Sequence, residues 1–191
     1  MTTTTTTQKK TKTEKPIPTL PTNPFVFEIF DLVSKQRSNS KKIEVLQKYS
    51  HDSVKSLLIW NFDDSVISLL PEGPVPYGEI GNQNVFNGTL SDNLLKEAVG
   101  GESATGQDLD GRNKTSLRVE YTVLYNFVKG GNNHLSSIRR EMMFINLLQG
   151  LHPKESEVLI LVKDGKLEDK YKIPFDAVKE AYPDIRWGGR S

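Results

Sequence analysis

The chain has 191 residues, a formal net charge of +1 and no cysteine. This length predicts one domain with appendages, and the near-zero charge gives no global field that would attract nucleic acid. The missing thiols exclude disulfides, cysteine nucleophiles and Cys-based zinc sites, as is typical of a reducing compartment. No stretch approaches the ~18 apolar residues of a membrane span, and the N-terminus lacks a secretory signal, so we expect a cytoplasmic protein without a membrane partner.

Residues 1–23 are rich in Thr, Lys and Pro, and we predict a disordered arm because so little apolar surface cannot offset the cost of ordering. Its four lysines against one glutamate favour either an electrostatic arm for polyanions or a solubilising tail. Residues 71–115 form a second irregular stretch, with seven acidic and three basic side chains. A loop of this length is either functional or mobile, and we favour a mobile insertion with a brief helix around residues 90–99. Residues 186–191 are predicted to be a loose tail.

Apolar residues at helical spacing predict four helices before the insertion. Pro24 opens the first helix, and Ser40 caps the second. The third starts after His51. A short fourth helix is capped by Asp63 or Asp64, and we interpret this acidic pair as a cap rather than as paired catalytic carboxylates.

After the insertion, residues 116–129 place apolar side chains at helical spacing, although their β-branched and aromatic content makes a strand the alternative. Ser136 or Ser137 caps the next helix, which Gly150 ends. We expect its inward side to carry the apolar residues Ile138, Met142, Ile145, Leu147 and Leu148.

Pro153 begins a further helix with Glu155 and Glu157 in its first turn, and Gly165 ends it. A charged loop then leads to a last helix that starts at Pro174. The sequence therefore predicts an all-α, compact domain over residues 24–185, with about seven helices.

No motif of an enzyme or a cofactor site is present. The three histidines sit at separate helix starts without ligand spacing, and Asp108 and Asp110 lack the remaining ligands of a calcium loop. The chain has no phosphate-binding glycine loop and no serine nucleophile elbow. We expect no metal, no cofactor and no catalysis.

A series of motifs spans residues 136–183: a basic helix with a serine start, then LLQGLHPKESEVL, the loop KDGKL, and a short helix ending AYP. Together with residues 27–46 and 54–58, these motifs resemble the N-terminal helical DNA-binding domain of ATP-dependent DNA ligases, of the short T4-like phage type. The resemblance covers residues 24–70 and 117–185. The chain is also similar to small proteins of T4-like cyanophages.

The resemblance implies a non-catalytic protein of phage DNA replication or repair that contacts the backbone of duplex or nicked DNA without reading sequence. Lys163-Asp164-Gly165 lacks the spacer of the ligases' K-x-D-G nucleophile motif, so we expect no adenylation. The residues expected to meet DNA are Lys41, Lys42, Ser136, Ser137, Arg139, Arg140, Lys163, Gly165, Lys166, Lys170 and Lys172.

Two alternatives stay open. The charges of residues 134–172 nearly balance, seven basic against six acidic, which is also typical of a solvated surface over an apolar core. The fold can also serve a phage protein-interaction or virion-associated protein whose partner is a phage or host protein, with the acidic insertion as a candidate contact.

Overall fold

The computed structural model describes residues 17–74 and 114–190, and every regular element in this part of the chain is helical. The elements in chain order are α1 (Val26–Ser34), α2 (Asn39–Lys48), α3 (Asp52–Phe62), α4 (Leu117–Glu120), a 3₁₀ segment (Tyr121–Phe127), α5 (Ser137–Gly150), α6 (Pro153–Lys163), α7 (Leu167–Tyr171) and α8 (Phe175–Ala181). The all-α prediction is confirmed. Most of the predicted arm and insertion, including the helix expected around residues 90–99, lies outside the described residues.

Helices α1 and α6 form the centre of the domain. Helix α1 packs against α2, α6 and α7, while α6 also packs against α3 and α5, and α8 covers α2. The apolar side chains of α1 that are buried in this core are Val26, Phe27, Ile29, Phe30, Leu32 and Val33. A helix with so much apolar surface is stable only when neighbours cover it on several sides. None of the described helices is long and apolar enough to cross a membrane.

A buried carboxylate ties the two halves of the domain together. Glu155 lies in the first turn of α6 and is fully buried. Its Oε1 accepts a hydrogen bond from the backbone N–H of Phe27 at 3.0 Å, and its Oε2 accepts one from that of Leu117 at 2.7 Å. These two amides belong to the first turns of α1 and α4, where backbone N–H groups have no partner within the helix. One side chain thus satisfies helix starts before and after residues 75–113.

The prediction of a fourth helix after Asp63 is wrong. Residues 64–70 form a turn and an extended stretch, in which Leu69 N–H donates to the Phe127 carbonyl at 2.8 Å and the Lys129 N–H donates to the Ile67 carbonyl at 2.8 Å. The stretch pairs with residues that are distant in sequence, and this pairing satisfies the same apolar pattern. Asp63 is the C-terminal cap of α3.

Two helix starts differ from the prediction by about one turn or less. Helix α2 is capped by Ser38, whose Oγ accepts from the Lys41 N–H, so Ser40 lies inside the helix. Helix α1 begins at Val26 rather than at Pro24.

The stretch 116–129 combines the two predicted conformations. It begins as α4, continues as the 3₁₀ segment, and ends with Val128 in a bridge to Ser68. The helix is therefore confirmed only in part, and its last residue takes the extended form of the alternative.

The inward side predicted for α5 is correct in part. Leu148 is buried, and Ile145 and Leu147 are partly buried against the core. Ile138 and Met142 are wrong, because they are 70% and 59% exposed. Arg140 and Phe144 are buried on this helix instead.

The ends of α6 are as predicted. Pro153 is the first residue, and Gly165 at φ +67° closes a Schellman motif in which the Lys166 N–H donates to the Leu161 carbonyl at 2.8 Å. The charged loop expected after Gly165 instead contains the short helix α7. Helix α8 starts directly after Pro174, as predicted.

Both ends of the described chain contact the domain. The Leu20 N–H donates to the Tyr49 hydroxyl at 2.9 Å, so residues 17–23 are not part of a disordered arm. At the other end, Asp63 accepts from the Gly188 N–H at 3.1 Å and from Arg190 Nη1 at 2.7 Å. The prediction of a loose tail is therefore wrong for residues 186–190.

Candidate nucleic-acid interface

Three of the cations predicted to contact DNA are buried: Lys42, Arg140 and Lys163. Each donates to backbone carbonyls, because a buried charge is tolerated only with hydrogen-bonding partners. Their ammonium and guanidinium groups are therefore used inside the domain and are not available to a phosphate.

Arg140 fastens the loop that precedes α5. Its Nε donates to the Asn126 carbonyl at 2.8 Å, and its Nη2 donates to the carbonyls of Asn132 and Leu135 at 3.0 and 3.1 Å. These contacts hold Arg140 on the inward side of α5 together with Phe144 and Leu148, and Ile138 and Met142 lie on the outward side.

Lys163 fastens the chain just before residues 75–113. Its Nζ donates to the Pro71 carbonyl at 2.7 Å and to the Gly73 carbonyl at 3.2 Å, and it is paired with the adjacent Asp164. Gly165 uses its own N–H within the helix end, donating to Val162 at 3.1 Å. The predicted phosphate contacts at the end of α6 thus reduce to Lys166, which is exposed and lies 3.8 Å from the Glu72 carboxylate.

Lys42 brings two predicted basic segments together. Its Nζ donates to the carbonyl of Lys172, the left-handed residue (φ 49°) that ends α7. This contact places the start of α2 against the link between α7 and α8, although 130 residues separate them in sequence.

Exposed or half-exposed cations lie in or next to the elements that this contact joins, and we call them the α2–α7 basic face: Lys35 and Arg37 before α2, Lys41 in α2, Lys170 in α7 and Lys172 after it. The face also has acidic neighbours. Glu168 and Asp169 are exposed on α7, and Lys170 is ion-paired with Glu157.

The remaining predicted residues form a separate location. Ser136, Ser137 and Arg139 are exposed at the start of α5, and the Ser136 Oγ accepts from the Arg139 N–H at 3.4 Å. Ser136 thus caps its helix as predicted, which occupies one of the free N–H groups that a phosphate would use. No described contact joins this location to the α2–α7 basic face.

A basic cleft that the sequence did not reveal lies between the starts of α1, α3 and α4. Its volume is about 660 Å³, and its lining includes His51, Lys114 and Arg118. The full lining comes from three separate segments, residues 23–25, His51 and residues 114–119, so no local motif could have indicated the cleft. Within residues 17–74 and 114–190, no group of three or more His, Asp or Glu side chains has the spacing of a metal site.

The comparison with protein families gives one result for this chain. The model of a family of unknown function, DUF6433, matches residues 29–99 and 103–169. The chain belongs to this family. The match includes most of α1, all of α2 and α3, and the chain from α4 into α7. Lys35, Arg37 and Lys41 of the basic face and the cleft residues His51, Lys114 and Arg118 fall within it, whereas Lys170 and Lys172 lie beyond it. No curated protein and no solved structure matches the chain.

Proposed function

We propose that the protein is a non-catalytic DNA-binding protein that contacts the backbone of duplex or nicked DNA during phage DNA replication or repair. The observation that supports the proposal is the hydrogen bond from Lys42 to the Lys172 carbonyl, which brings the start of α2 against the end of α7, two segments that both carry cations. The resemblance to the DNA-binding domain of ligases supports it independently. With DNA as the partner, the site of action is the cytoplasm of the host cell.

The electrostatics of this face determine how strongly it binds. Lysine and arginine contacts to phosphates position a protein on DNA without reading its sequence. Lys170 is ion-paired with Glu157, so we expect Lys35, Arg37 and Lys172 to supply most of the contacts. Each contact contributes about −0.9 to the slope of log K against log salt, so about three contacts give a slope near −2.7. We expect moderate affinity and a clear salt dependence.

The test is a salt titration of fluorescence anisotropy with nicked, intact and single-stranded DNA of one sequence. Lys172→Glu and Lys41→Glu are expected to weaken binding at low salt and to reduce the slope. Lys129→Glu is the control, because Lys129 is exposed, as Lys172 is, but is not part of the basic face.

Equal losses of DNA affinity in all three variants would show that only total charge matters and would refute the basic face as the DNA-binding site. An absence of binding to every DNA at low salt would refute the function itself. Circular dichroism of each variant excludes unfolding as the cause.

A second candidate, a protein-interaction or virion-associated role, is supported by the outward side of α5. Ile138 and Met142 lie one turn apart and are both largely exposed. An exposed apolar pair on a regular helix is typical of a surface that another protein covers. Ile138→Asp would then abolish co-purification of a specific phage or host protein and leave DNA binding unchanged, whereas the DNA-binding proposal expects no such partner.

A further inference from the structure

The basic cleft between α1, α3 and α4 has a consistent chemical character. Among the described residues, two cations line it, Lys114 and Arg118, and no carboxylate does. The lining also offers the Asn23 amide and the Ser116 hydroxyl. Although Ser116 precedes α4, its hydroxyl forms no cap hydrogen bond with that helix. The cleft therefore combines positive charge with polar donors, as expected of an oxyanion site.

Arg118 is the central residue of this cleft. Among residues 17–74 and 114–190, its guanidinium forms no hydrogen bond and no ion pair. Lys114 donates to the Gln149 carbonyl at 3.0 Å, which leaves part of its donor capacity unused. Acids close to the lining residues are Glu28, which accepts from the Phe25 N–H at 2.9 Å, Glu120, which accepts from the Thr115 hydroxyl at 3.0 Å, and Asp52, which neighbours His51.

His51 reports the electrostatics of the cleft. Its Nδ1 accepts from the Ser53 N–H at 3.1 Å. Burial lowers the pKa of His51, the charge of Arg118 lowers it further, and the charge of Asp52 opposes both. The guanidinium therefore lies close enough to His51 for its charge to act on the ring.

We propose that this cleft binds a phosphate group, with Arg118 as the principal contact and Lys114 and Ser116 as additional donors. The planar guanidinium can hold two oxygens of a phosphate at once, and the flanking donors can meet a third. The group is either a phosphate of DNA or a free phosphate. The proposal is independent of the α2–α7 basic face and remains valid if that face does not bind DNA.

The test follows the histidine resonances by NMR while inorganic phosphate is added, with sodium chloride at matched ionic strength as the reference. A bound phosphate stabilises the protonated imidazole, so the pKa of His51 is expected to rise with phosphate more than with chloride. The experiment is repeated with sulfate, whose charge does not change over this pH range, so that titration of the ligand is excluded as the cause of the effect. His134 is exposed and outside the cleft, so its resonances should respond alike to all salts.

Arg118→Gln is the decisive variant, and Arg186→Gln is its control because Arg186 is an exposed arginine that does not line the cleft. We expect Arg118→Gln to weaken phosphate binding by roughly tenfold or more, the effect of a lost charge-assisted hydrogen bond. Arg186→Gln should bind as the unmodified protein does.

The source of the phosphate is distinguished by short duplexes with and without a terminal 5′-phosphate. A change in the chemical shifts of His51 on addition of inorganic phosphate identifies a free-phosphate site. A change with both duplexes but not with inorganic phosphate, lost in Arg118→Gln, identifies a site for the DNA backbone. A change with the 5′-phosphorylated duplex only identifies a site for a terminal phosphate. If none of these ligands moves the His51 resonances beyond the chloride reference, or if Arg118→Gln responds as Arg186→Gln does, the proposal is wrong.

Discussion

The substitution Glu155→Ala tests the connection between the two halves of the domain. Glu155 is fully buried in the first turn of α6 and accepts from the N–H groups of Phe27 and Leu117. Alanine provides no acceptor, and the buried site gives these amides no water to replace it. We therefore expect Glu155→Ala to be one of the most destabilising single substitutions in the chain.

The magnitude follows from the two hydrogen bonds. A buried donor without a partner costs about 1–3 kcal/mol, so two donors give a loss of about 2–6 kcal/mol. A small domain has a total free energy of unfolding of only about 5–15 kcal/mol. Glu155→Gln keeps one oxygen acceptor and avoids burying a charge, so its loss should be smaller than that of Glu155→Ala. Glu157→Ala is the control on the same helix, because Glu157 is half-exposed and its ion pair with Lys170 contributes at most about 1 kcal/mol.

The measurement is urea unfolding, with the midpoint and the slope compared across the three variants. The pH dependence provides a second check. Burial raises the pKa of Glu155 above 4.5, against the lowering effect of the backbone hydrogen bonds. Above pH 4.5 the folded state therefore binds more protons at Glu155 than the unfolded state does. The free energy of unfolding then falls as the pH rises to the folded-state pKa of Glu155. Glu155→Gln should lack this fall. A free energy of unfolding for Glu155→Ala within about 0.5 kcal/mol of that for Glu157→Ala would refute the reasoning.

Two further predictions concern the tail and the acids on α7. Burial alone would raise the pKa of Asp63, but hydrogen bonds, including one from Gly188, and the charge of Arg190 outweigh it and lower the pKa below 3.8. Its contribution to holding the tail is present above pH 3.8 and lost as pH falls through the folded-state pKa. The protection of the Gly188 amide, which is the slowing of its exchange relative to the intrinsic rate at the same pH, should therefore fall in acid and in Asp63→Asn; unchanged protection would contradict this. Neutralising both Glu168 and Asp169 to their amides should tighten DNA binding by roughly threefold at low salt, because repulsion of phosphates is removed, and weaker binding of this variant would exclude α7 from the interface.

The sequence predicts features that local chemistry determines. Proline at the start of α6, glycine at its end and serine at the start of α5 act within a few residues of themselves, and all three are found as expected. The prediction of a fourth helix is wrong because the structure of that segment depends on residues distant in sequence. Residues 64–70 pair with residues near Val128, and a single-segment pattern contains no information about such a partner.

The register of α5 shows a limit of periodicity itself. Leu148 lies inside as predicted, but Arg140 and Phe144 are buried where the apolar pattern favours Ile138 and Met142. Arg140 donates to three carbonyls around the preceding loop, and the apolar pattern contains no information about these partners. A buried arginine with several carbonyl partners costs less than leaving those carbonyls without hydrogen bonds.

The need of backbone carbonyls for a hydrogen-bond donor also changes how the basic residues of the candidate interface are interpreted. Lysines and arginines were expected to face phosphate, yet Lys42, Arg140 and Lys163 donate to backbone carbonyls of irregular or terminal segments. A count of positive charge therefore overestimates the surface available to DNA. Lys42 nevertheless matters to the proposed interface, because its hydrogen bond to the Lys172 carbonyl holds the start of α2 against the end of α7. Lys42 acts as a positioning residue, and the phosphate contacts are expected from the exposed cations around it.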